Sequence, residues 1–154
     1  MVIGKGGANI KKEDARLHVG GYALALDLTA RDLQAEAKAK GLPWTVAKGY
    51  DTFCPVSAYL PTAALTDPMR QTIWLQVNGE MRQRACTSEM IFDVWELISR
   101  VSRVMRLEPG DFLLTGTPGG VGELRVGDKV TAGLGHDYLR MHFKCVPKPK
   151  VLHN

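Results

Sequence analysis

Cysteine is scarce in this sequence: Cys54, Cys86 and Cys145 are the only three in 154 residues, and no two of them form a C-x-x-C pair. An odd number of widely spaced thiols excludes a zinc ribbon and a fully paired disulfide framework within one chain, so a reducing compartment is the simplest expectation. Long apolar runs are missing too. Nothing approaches the roughly 18 residues of a membrane span, and the first residues show neither a signal-peptide core nor an Arg/Ser-rich presequence. Positive charge is present but not concentrated: Lys plus Arg exceeds Asp plus Glu by 20 − 16 = 4, and the one dense basic tract is the proline-containing stretch 144–150. A nucleic-acid face needs clustered charge, so neither a nucleic acid nor a membrane is expected as partner. The four histidines, His18, His136, His142 and His153, share no spacing that suits a metal site or a histidine-based triad.

What is present fits one folded domain. Hydrophobic residues make up 45% and charged residues 23%, ordinary values for a globular chain of this length. The polar stretch 5–16 predicts a turn and a short helix beginning near Asn9. The run Tyr22-Ala23-Leu24-Ala25-Leu26-Asp27 predicts a buried strand ending on a carboxylate. Thr29 is placed to cap a helix over 30–40, with Asp32 in its first turn and Gly41 and Pro43 ending it. Segment 44–60 reads as irregular, with a short strand at 56–60. A strand over 72–77 runs into Asn78-Gly79, the dipeptide of a type I′ hairpin, and returns over 81–84. Ser88 is placed to cap a helix whose apolar residues Ile91, Val94, Trp95, Ile98, Val101 and Met105 recur at the helical period. Further strands are expected at 112–115, 129–132 and 138–146, around a glycine-rich loop at 116–122. Strands outnumber helices about two to one, which predicts an α+β domain on a largely antiparallel sheet.

The candidates for chemistry cluster near the first long helix. Arg31 and Gln34 are three apart on one helical face, and Asp27 ends the strand that feeds it. A carboxylate there can hold a divalent cation while the guanidinium and amide grip an anion near the helix N-terminus; equally, Asp27 and Arg31 can form an ion pair that stitches the junction, with Gln34 solvated. Lys48, 21 residues after Asp27 in the apolar-flanked Ala47-Lys48-Gly49-Tyr50, is unusual there as a lone lysine, and a surface lysine is its simplest reading. The loop Thr115-Gly116-Thr117-Pro118-Gly119-Gly120-Val121-Gly122 presents free N–H groups and hydroxyls, and serves either as an anion cradle or as a tight connection. It has neither a Walker order nor a G-x-G-x-x-G order.

Four linked stretches together resemble one family. They are Gly20-Gly21-Tyr22 through Asp27-Leu28-Thr29-Ala30-Arg31-Asp32-Leu33-Gln34; Lys40-Gly41-Leu42-Pro43-Trp44 through Lys48 to Ser57; Val77-Asn78-Gly79-Glu80 through Thr87-Ser88-Glu89-Met90-Ile91-Phe92; and Leu107-Glu108-Pro109-Gly110-Asp111 through Thr117-Pro118 to Gly122. In order and spacing they resemble the fumarylacetoacetate hydrolase family, nearest its acylpyruvase-like branch. The resemblance implies a mixed β-roll, usually homodimeric and mitochondrial or cytosolic. It also implies Mg²⁺ or Mn²⁺ and a small β-keto acid substrate: hydrolysis of a C–C bond in acylpyruvates through a metal-stabilised pyruvate enolate and, in some members, decarboxylation of oxaloacetate. Residue by residue, Asp27 matches a metal ligand; Arg31, Gln34 and Lys48 match catalytic and substrate-binding positions; Thr117 matches a substrate-binding threonine; and Thr52 lies near the metal in some relatives. The family also has a Glu-x-Glu ligand pair just before a segment resembling Met1-Val2-Ile3-Gly4-Lys5, and a lid carrying a His and a Glu. The expectation is therefore a single domain over 1–154 without its first strands and lid. Two readings stay open: a metal-dependent hydrolase, or an inactive homologue serving as a dimerisation or binding partner.

Overall fold

The computed structural model describes residues 1–147. The last residues of the basic tract and His153 lie outside that range. Among the described residues seven strands fall into two antiparallel sheets, which is the expected α+β class. The small sheet joins β1 (Val2–Ile3), β2 (Val19–Tyr22) and β3 (Leu60–Pro61) in that order; the larger has the order β5-β4-β6-β7, from β4 (Thr72–Val77), β5 (Glu80–Cys86), β6 (Lys129–Leu134) and β7 (Leu139–Lys144). The hairpin at Asn78-Gly79 is as expected: both residues take positive φ, 53° and 85°, as a type I′ turn requires. The Asn78 carboxamide also donates to Asp128 and accepts from the Lys129 N–H, which locks the turn to the start of β6.

Helix α3 (Val94–Val104) shares one core with residues of both sheets. Val94 and Ile98 are buried and Trp95 and Val101 pack on the same core, so the central part of the expected stripe is right. Its ends are not. Ser88 does not cap this helix: residues Thr87–Glu89 form a separate 3-10 turn, closed by the Cys86 N–H donating to Glu89 Oε1, and Asp93 is the N-cap, accepting from the Glu96 N–H at 2.7 Å. Ile91, ahead of that cap, is 92% exposed, and Met105, beyond the last turn, is 60% exposed. The polar face of α3 holds the 3-10 segment Lys12–His18 and the turn before it. Buried Ser102 accepts from the Ile10 N–H and donates to Ser99 O, and Lys12 bridges to Asp93 at 2.7 Å. Ile3, Ala15, Leu107 and Ile98 close the core.

Three further expectations are corrected. The strand foreseen over 22–27 ends at Tyr22; beyond it a single isolated bridge forms, Ala25 with Val56, because Pro55 in the partner segment has no N–H to continue a ladder. Segment 44–60 is not wholly irregular: it contains a one-turn helix, α2 (Thr45–Lys48), and its strand is confined to Leu60–Pro61. The segment 112–115 contributes a single bridge, Val2 with Phe112, rather than a strand. Among the described residues no helix is long and apolar enough to cross a membrane.

Candidate functional site

The first helix, α1 (Arg31–Ala39), begins on Ala30 with no side-chain cap, so Thr29 does not play the part expected of it. The entry is fixed from outside instead, by the Ala30 N–H donating to Ala47 O at 2.9 Å, which ties the start of α1 to α2. The other end behaves as the glycine predicts. Gly41 takes φ +65°, its N–H donates to Lys38 O, and the Leu42 N–H reaches back to Ala37 O at 2.8 Å, the paired bonds of a Schellman close. Leu26 and Leu28 N–H groups donate to Pro55 O and Phe53 O, and the Ser57 N–H donates to Leu24 O, so segments 24–28 and 53–57 are laced side by side.

This lacing brings together residues 21 apart in sequence. Lys48 Nζ, at the end of α2, lies 2.6 Å from Asp27 Oδ2, with the lysine side chain 32% and the aspartate 53% exposed. Arg31 Nη1 donates to Gln34 Oε1 at 3.1 Å along one face of α1. The junction ion pair is therefore Asp27–Lys48 rather than Asp27–Arg31, and Gln34 is engaged by Arg31 rather than merely solvated. Thr52, in the turn after α2, adopts φ +66°, a region that a β-branched side chain occupies only under strain.

Thr117 is held by a different element. Its hydroxyl accepts from Gln83 Nε2 of β5 at 2.9 Å, and the same nitrogen donates to Pro118 O at 2.9 Å. Gln83 went unnoticed in the sequence because a glutamine on a polar edge strand carries no motif. Among the described residues no three His, Cys, Asp or Glu side chains group as a metal site. A single carboxylate such as Asp27 can serve a divalent ion as one ligand only, since Mg²⁺ is commonly held by one or two carboxylates with water and substrate oxygens. The remainder of such a coordination sphere has to come from outside this set.

These features define an α+β domain that carries an exposed cluster of opposite charges on its connecting segments. Residues 1–142 match the family model described as fumarylacetoacetate hydrolase C-terminal. The chain is 54% identical over 134 residues to the oxaloacetate tautomerase FAHD1, mitochondrial, of Arabidopsis thaliana, covering 87% of this chain and 60% of that protein. It is 49% identical, again over 134 residues, to the oxaloacetate decarboxylase, mitochondrial, of Dictyostelium discoideum, covering 87% of this chain and 62% of that protein. The crystal structure of fumarylpyruvate hydrolase from Pseudomonas aeruginosa in complex with Mn²⁺ and pyruvate superposes with a TM-score of 0.89 at 38% identity, over 96% of this chain and 63% of that one. The protein belongs to the fumarylacetoacetate hydrolase family. It spans about three-fifths of the length of these relatives.

Proposed function

We propose that this chain forms a substrate-binding face of a metal-dependent enzyme acting on short β-keto acids, by hydrolysing the C–C bond of acylpyruvates and by oxaloacetate decarboxylation or tautomerisation. The observation that carries the reading is the Asp27–Lys48 pair at 2.6 Å, with Lys48 on α2, which the Ala30–Ala47 backbone bond ties to the start of α1, where Arg31 donates to Gln34. A divalent ion, Mg²⁺ or Mn²⁺, supplies fixed positive charge where the substrate turns anionic, and Asp27 is the residue here to hold it. Arg31 and the Gln34 amide suit a substrate carboxylate, the first by charge and both by planar hydrogen-bonding groups. The Lys48 ammonium suits the negative charge that builds on the pyruvate oxygen when the C–C bond breaks and its electron pair stays with the pyruvate unit. The Thr117 hydroxyl adds a neutral donor. The names of the Arabidopsis and Dictyostelium relatives extend the proposal to a mitochondrial setting, and a homodimer is part of it, to be read by light scattering.

The test is turnover of oxaloacetate and of an acylpyruvate with Mn²⁺ present. Lys48→Met should lower kcat/KM on the order of a hundredfold or more, the usual cost of removing one charge-stabilising donor, and Asp27→Ala should remove the dependence on Mn²⁺. The second reading, a non-catalytic partner, draws on the lack of a three-residue metal group among the described residues. It is preferred if the wild-type chain neither turns over these substrates nor takes up Mn²⁺ or pyruvate in calorimetry.

A further inference from the structure

The loop carrying Thr117 is fastened to the edge of the larger sheet, and the fastening explains why that edge is irregular. In the β4–β5 ladder Leu75 faces Gln83 but Gln76 faces Met81, so Arg82 is an extra residue without a partner, a β-bulge. Bulges turn backbone and side chains away from the regular ladder. Here the Arg82 carbonyl is turned onto Gly120: a Cβ built on Gly120 would lie 1.9 Å from that oxygen, and Gly120 takes φ +95°, so both space and backbone require glycine. The next residue, Gln83, delivers its amide nitrogen to Thr117 Oγ1 and Pro118 O, each at 2.9 Å.

Those two bonds fix a direction. A carbonyl only accepts, so the group facing Pro118 O must be the NH₂ end of the Gln83 amide, and the Thr117 oxygen beside it must also accept. One lone pair of the threonine is thereby occupied, and its own O–H is left to donate elsewhere. We infer that Gln83 is a positioning residue that polarises Thr117 as a hydrogen-bond donor, so that the loop favours an anionic oxygen of the substrate over a donor group. The inference rests on the reading of Thr117 as substrate-binding given above.

Pyruvate titrated calorimetrically into the 154-residue chain with Mn²⁺ separates the two claims. Wild type should bind, and Thr117→Ala should weaken binding about ten- to a hundredfold, the cost of one hydrogen bond to a charged group. Gln83→Glu removes the donor and offers an acceptor that captures the Thr117 proton, and should weaken binding at least as much; Gln83→Met, which keeps the length, should fall between. The deciding measurement is the cycle. In a Thr117→Ala background Gln83→Met should cost less than a further twofold, whereas an amide that only shapes the loop would subtract its full effect again. Full additivity, or unchanged binding by Gln83→Glu, overturns the polarising role while leaving Thr117 in the site. Failure of wild type to bind, or full binding by Thr117→Ala, overturns the reading of Thr117 and the role of Gln83 with it. Matched melting temperatures confirm that the variants compared are folded.

Discussion

The four-stranded sheet with α3 and the segment 23–57 are held together by different forces. In the first, β4 pairs with β5 along its whole length and with β6 from Ile73 to Val77, and Val130, Ala132 and Ile98 are each no more than 2% exposed. In the second, the only bridge is Ala25 with Val56, α1 has no buried residue, and α2 contributes just Ala47 to the interior. The charged candidates Asp27, Arg31 and Lys48 all sit in the second region. They are placed by single backbone hydrogen bonds and one exposed ion pair, not by a packed core. Elements fixed in this way open more easily than the core does, and binding segments are commonly drawn from that low-stability end.

The largest effect should come from breaking the well-packed half. Ile98→Ala removes a fully buried side chain from the face where α3 meets both sheets and should cost about 2–5 kcal/mol in urea unfolding. Val46→Ala, at a side chain 70% exposed in the other half, should change stability by less than about 0.5 kcal/mol. Comparable losses from the two would abolish the contrast. Next in size is Gly120→Ala, for which a positive φ and the Arg82 carbonyl together predict about 1–3 kcal/mol of strain, visible as faster amide exchange in 116–122 with the sheet still protected.

Asp93→Ala comes third, at about 1 kcal/mol for the lost N-cap of α3. This cap also carries a pH signature. Burial pushes the Asp93 carboxyl up, but the Lys12 hydrogen bond and the Glu96 N–H outweigh it and hold it below its ordinary 3.8. The folded state therefore binds this proton less readily than the unfolded chain does. Its stabilising share is full above the ordinary value and fades as the pH falls through the depressed one. Acid unfolding of wild type and Asp93→Ala should converge below that range and separate above it; parallel curves throughout would show that the carboxylate charge is not involved.

How much of this was legible in the sequence follows the same division. The hairpin at Asn78-Gly79 and the Gly41 helix end were readable because a positive φ leaves a residue signature. The middle of α3 was readable because burial imposes a period. The starts of α1 and α3 were misread for one reason: Thr29 and Ser88 are good caps by type, yet the tertiary bond from Ala30 to Ala47 and the better-placed Asp93 settled the boundaries. Asp27 is legible as a carboxylate ending an apolar run and Lys48 through the family resemblance, but their pairing is not, since the lacing of 24–28 with 53–57 lies in backbone bonds that any sequence can make. Gln83 was invisible, because a bulge is a mismatch between two strands and neither strand records it alone.

The smallest effect on stability should come from the pair that matters most to the proposed chemistry. Asp27 and Lys48 touch at 2.6 Å with both side chains substantially exposed, and such pairs contribute about 0–1 kcal/mol, less as salt screens them. A double-mutant cycle of Asp27→Asn and Lys48→Met on unfolding should give a coupling below about 1 kcal/mol that shrinks further in high salt. Yet each single change should alter Mn²⁺ or pyruvate uptake. A coupling well above that, insensitive to salt, would mean the pair serves as a structural staple, and segment 23–57 would then owe its order to electrostatics strong enough to rival the core. The weak pair is the arrangement a binding site needs: an aspartate that must let go of a lysine to accept a cation can do so only if the contact it gives up is cheap to break.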